Sequence, residues 1–60
     1  MLKIKIIKIK NIHEDLYKIT FQFKSDFNQL IIMTQNIYLN DVNNYNEIIN
    51  TIDIPTYYYK

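Results

Sequence analysis

Residues 2–10 alternate Leu or Ile with Lys at period two, the pattern of a strand with one buried face. The alternation slips at Ile6-Ile7: Leu2, Ile4 and Ile6 point one way, Ile7 and Ile9 the other. Looping out one residue as a β-bulge restores a single apolar face. The polar run Asn11-Ile12-His13-Glu14-Asp15 then closes a hairpin, without the Gly that would fix a tight turn type. Residues 17–24 carry the cleanest alternation, with Tyr17, Ile19, Phe21 and Phe23 on one face and Lys18, Thr20, Gln22 and Lys24 on the other. This predicts the central strand. Ser25 to Asn28 supplies a second turn. Leu30 to Thr34 is apolar on both faces and continues toward Ile37, which predicts a third strand whose two faces are each covered by something.

From Asn40 the period changes to that of a helix, with Val42, Tyr45, Ile48, Ile49 and Ile52 on one stripe and Asn40 or Asp41 placed to cap the first turn. Four Asn, at 43, 44, 46 and 50, and no Ala give weak intrinsic propensity, so this helix depends on packing its Ile stripe against the sheet. Pro55 bars continuation and sets the end near Thr51 to Asp53. For Tyr57 to Lys60 a short fourth strand is favoured over a projecting terminus. The predicted fold is α+β: one small domain over 1–60, an antiparallel three-stranded β-meander with one α-helix packed on one face, in the order β-β-β-α.

Sixty residues hold one core, and a core of that size seldom supplies more than about 3–5 kcal/mol. There is no Cys, and His13 is the sole imidazole, which excludes a disulfide framework and thiolate zinc sites. Oligomerisation is the remaining common supplement, and a homodimer is expected. Ile, Asn, Lys, Tyr and Phe make up 37 of the 60 residues, while Gly, Ala, Arg, Trp and Cys are absent. All five common types have codons rich in A and T, so single Asn and Lys residues say little by themselves. No stretch approaches the length of a spanning helix, and the first ten residues lack a signal peptide's continuous apolar run, so a cytoplasmic protein with no membrane partner is expected. The formal charge of +1 hides an asymmetry: residues 1–24 carry +4 and residues 25–60 carry −3. Such a division orients a chain on an anionic partner, or draws two copies together head to tail.

His13-Glu14-Asp15 resembles a base with its orienting carboxylate, but the three are consecutive in a turn with no nearby nucleophile, so a solvated loop is the plainer account and no catalytic residue is assigned. The absence of Gly removes phosphate-cradling loops, and the acids fall at no metal-binding spacing, so no cofactor is expected. Two surfaces remain. One is apolar: whichever of Leu30 and Ile32 or Ile31 and Met33 points away from the helix, with Ile7 or Ile9 and the terminal tyrosines, so that a candidate protein interface is drawn from Ile31, Ile32, Met33, Tyr57, Tyr58 and Tyr59. The other is cationic: Lys3, Lys5, Lys18, Gln22 and Lys24 form a candidate nucleic-acid face, set against the plain alternative that exposed lysines only protect a sheet from aggregation. The sequence favours a non-enzymatic protein-binding module, in the style of a small phage or mobile-element inhibitor that occludes a larger partner, with nucleic-acid binding as the alternative.

Overall fold

The computed structural model describes residues 3–58. Leu2, expected to open the first strand, and Tyr59 and Lys60, expected in the tail, lie outside the described residues. Three strands, β1 (Ile4–His13), β2 (Leu16–Lys24) and β3 (Leu30–Tyr38), form one antiparallel sheet in the order β1-β2-β3. They are followed by a helix, α1 (Tyr45–Thr51), and a 3-10 turn at Thr56–Tyr58. This is the β-β-β-α architecture that the periodicity predicts, with β2 central.

The slip at Ile6-Ile7 is resolved by the expected bulge. Ile6 pairs with Phe21 and Lys8 with Thr20, leaving Ile7 as the extra residue. The bulge returns Ile9, paired with Ile19, to the side of Ile4 and Ile6, and sends Lys8 and Lys10 to the side of Lys5. β1 then runs further than the polar run suggests. A second irregularity falls between Asn11 and His13, and the hairpin closes through Glu14 and Asp15 alone. Without Gly, Glu14 takes the left-handed conformation (φ 48°). The Asn11 side chain braces it by donating to the carbonyl of Glu14 at 2.8 Å. The second turn uses Asn28 at φ 64°, a residue type that tolerates this region. There the buried Ser25 hydroxyl accepts from the amides of Phe27 and Gln29, each at 3.2 Å.

Ile19, Phe21 and Phe23 are the largest fully buried side chains, and Ile37, Leu39, Ile48 and Ile52 complete the core around them. α1 is shorter than expected. It begins at Tyr45 with Asn44 as N-cap, whose side chain accepts from Glu47 N at 3.2 Å. Asp41 instead closes a preceding turn, its Oδ1 accepting from Asn43 N at 3.0 Å, and the Glu47 carboxylate reaches back to the amides of Asn40 and Asp41. The end at Thr51, ahead of Pro55, is as expected. The described part of the tail is not a strand. Tyr58 O accepts from Asp26 N at 3.0 Å, and the Tyr58 ring stands edge-on to Phe23 at 5.4 Å, so the segment packs over the end of the core instead of extending the sheet.

A helix of 7 residues covers little sheet. The Cα radius of gyration is 11.7 Å, with extents of 37 × 16 × 16 Å, against about 10.4 Å for a compact chain of this length. Ile9, although on the core side, is accordingly 40% exposed. The opposite face of the sheet is covered by no element of the described chain.

Candidate functional site: the open face of the sheet

Cross-strand register decides what this open face carries. Lys5 lies opposite Gln22, Lys8 opposite Thr20 and Lys10 opposite Lys18. On the other side of β2, Lys18 faces Asn36, Thr20 faces Thr34, Gln22 faces Ile32 and Lys24 faces Leu30. Residues directly opposite one another share a face, so five lysines stand on one surface. None has a carboxylate as its cross-strand partner. Among the described residues the recorded ion pair is His13 Nε2 to Glu14 Oε1 at 3.5 Å, both highly exposed in the hairpin turn and away from these lysines in register. Lys10 against Lys18 is a like-charge pair, an arrangement that weakens a sheet.

Lys8, Lys10 and Lys18 converge with Thr20 and Thr34 on an open depression. The two hydroxyls are 3.2 Å apart. Each hydroxyl keeps acceptor or donor capacity after that bond, so the depression presents three ammonium groups and two hydroxyls to whatever lies on it. Two residues along a strand are about 6.8 Å apart and adjacent strands about 4.8 Å. The charges therefore form a grid matched to an extended anion with repeating charges better than to a single small one. Along β3 the same face changes character, with Leu30 65%, Ile32 62% and Tyr38 68% exposed.

Of the sequence-predicted cationic set, Lys5, Lys18, Gln22 and Lys24 are brought together on this face. Lys3 is exposed just ahead of the first ladder pair. Lys8 and Lys10, absent from that set, belong to it. The bulge at Ile7 puts them there, and the slip in alternation was the signal. The predicted apolar set is divided. Ile31 and Met33 are half-buried on the core side, Ile32 is on the open face, and Tyr57 is exposed on the tail. Tyr58 is packed on Phe23, and Tyr59 lies outside the described residues.

No protein family, curated protein or solved structure matches the chain. Among the described residues no group of three His, Cys, Asp or Glu side chains is placed to hold a metal ion, and no helix is long and apolar enough to cross a membrane. Away from this face, a side-chain hydrogen bond shared with Tyr57 raises the Tyr58 phenol above its ordinary value, and the two rings stand 4.5 Å apart.

Proposed function

We propose that the chain is a non-enzymatic binding module that lays the open face of its sheet along a nucleic-acid backbone. The observation that carries this is the gathering of Lys5, Lys8, Lys10, Lys18 and Lys24 on an uncovered face with no cross-strand acid. A sheet optimised only for stability would pair these lysines with Asp or Glu; Lys10 facing Lys18 is the arrangement of a surface whose counter-charge comes from outside. Lysine is a hydrated point charge and suits phosphate oxygens. Thr20, Gln22, Thr34 and Asn36 between the lysines add neutral donors and acceptors to sugar, phosphate or base edges. With no Arg in the chain, bidentate reading of guanine is missing, so binding is dominated by backbone charge and weakly sequence-dependent.

Five phosphate contacts give a slope of log K against log salt of about −4.5 on duplex DNA, and a fourfold rise in salt then weakens binding about 500-fold. Fluorescence anisotropy with duplex and single-stranded oligonucleotides measures this. Lys18→Glu combined with Lys24→Glu removes two contacts, lowers the slope to about −2.7 and cuts affinity sharply. Binding indifferent to both salt and this double substitution would refute the proposal.

The exposed Leu30, Ile32 and Tyr38 on β3 support a second reading, a protein-binding module that occludes a larger partner. The two separate cleanly, since a neutral polar substitution, Ile32→Asn, removes the apolar protein contact without altering the charge of the face and so leaves the salt slope on nucleic acid unchanged.

A further inference from the structure

The two edges of the sheet differ in kind. β1 is interrupted by irregularities at Ile7 and Ile12, carries Lys5, Lys8 and Lys10, and receives the Tyr45 hydroxyl on the carbonyl of Ile4 at 2.6 Å. Bulges, lysines and side-chain caps are the devices that stop a free edge from pairing. β3 has none of them. Its register with β2 is unbroken from Leu30 to Tyr38, and its sequence, Leu-Ile-Ile-Met-Thr-Gln-Asn-Ile-Tyr, contains no charge and no Pro. Among the described residues, no main-chain group outside the β2 ladder and no side chain bonds to the backbone of β3. Its outward N–H and C=O groups form a nine-residue template for one more strand.

We infer that this edge is a self-association surface, on which β3 pairs antiparallel with β3 of a second copy of the chain about a two-fold axis at Thr34. A two-fold interface sets every charge against its own copy or a fixed partner, and β3 is a strand on which this costs nothing, whereas β1 would bring lysines against lysines. Full overlap places Thr34 opposite Thr34, Ile32 opposite Asn36 and Leu30 opposite Tyr38, which covers part of the apolar surface left exposed on the open face. Nine residue pairs provide about eight to ten main-chain hydrogen bonds. Because opposed residues in an antiparallel pair share a face, the two open faces lie on the same side of a continuous six-stranded sheet and both helices on the other. The inference stands independently of the nucleic-acid proposal, since no lysine takes part in the contact.

Sedimentation of the full chain at micromolar concentration tests it. A species of about twice 7.4 kDa is expected, insensitive to salt. Thr34→Lys and Thr34→Asp each place like charges on the axis and should be monomeric while keeping their circular dichroism. An equimolar mixture of the two should recover the dimer. Ile12→Asp, on the β1 edge, should leave it intact. A monomeric wild type, a dimer that survives either Thr34 variant alone, or a mixture that stays monomeric would overturn the inference. Hydrogen exchange on the wild type gives a reading that needs no variant: outward amides of Leu30 to Tyr38 become protected as concentration rises and those of β1 do not, and protection of both edges or neither counts against it.

Discussion

Replacing Lys10 with Glu should strengthen the fold and weaken binding at once. Lys10 and Lys18 are directly opposite across β1 and β2, with Cβ atoms about 5 Å apart. The charges sit at the ends of flexible stems, so like charges at that distance set an upper bound of about 0.8 kcal/mol of repulsion in water, which physiological salt, with a Debye length of about 8 Å, roughly halves. Glu at position 10 removes up to about 0.4 kcal/mol of repulsion and adds a similar attraction, a swing of up to about 0.8 kcal/mol; Lys and Glu are comparably disfavoured in strands, so propensity leaves the sum alone. With a urea dependence of about 1 kcal/mol per molar, the midpoint rises by up to about 0.8 M. Lys10→Gln should show about half of that. The same Glu removes one phosphate contact, lowers the magnitude of the salt slope by about 0.9 and repels the neighbouring phosphates. The assay is a pair of titrations on one preparation, urea unfolding by circular dichroism and oligonucleotide anisotropy across salt. A solvated, idle lysine predicts the stability gain without the binding loss. If Lys10→Glu lowers the urea midpoint, or leaves affinity untouched, the crowded cationic face is the wrong description.

Other outcomes follow from the core and the caps. Phe21 is completely buried, and Phe21→Ala should cost about 3–5 kcal/mol in a domain whose whole stability is on the order of 3–9 kcal/mol; outright unfolding or a urea midpoint lowered by about 3 M or more is expected, and a midpoint lowered by less than about 1 M would show that the core lies elsewhere. Asn44→Ala removes the cap bond to Glu47 N and should lower thermal stability by about 1 kcal/mol, with Asn44→Ser restoring most of it. Because Tyr58 holds its proton more tightly folded than unfolded, stability should decline as pH rises past the ordinary tyrosine value of 10.0. Tyr57→Phe should bring that ionisation back down in an ultraviolet titration, and an unchanged titration would deny the Tyr57 contact its role.

The parts of the fold written in period two were legible, and the parts written in local hydrogen bonds were not. Tyr17, Ile19, Phe21 and Phe23 set the core face of β2 by alternation alone, and the break at Ile6-Ile7 announced a bulge before any geometry was known. The helix start was missed because Val42 fits a helical stripe, whereas Asp41 and Glu47 spend their carboxylates on a turn ahead of it. The spacing Asn44-x-x-Glu47 was the available signal, a capping-box pattern with Asn in the cap position. The tail was misread because a Tyr-rich run has strong strand preference, while its position over Phe23 is decided by tertiary packing and by the bond to Asp26 N. For the site, Lys8 and Lys10 were overlooked although the bulge implies them, since restoring Ile9 to the apolar side moves both lysines to the other. Alternation also requires Leu30 and Ile32 to face away from Ile31 and Met33, but which pair meets the helix is set by the register with β2, which puts Ile31 and Met33 on the core side.

The central claim is that the uncovered side of the sheet is the working surface, and amide chemical-shift mapping tests it most directly. Titrating an unlabelled oligonucleotide into the isotope-labelled chain at low salt should move the resonances of Lys5, Lys8, Lys10, Lys18, Thr20, Gln22 and Thr34 and leave those of Tyr45–Thr51 in place. Shifts concentrated on α1 and the 56–58 turn, with the lysine strands silent, would contradict it.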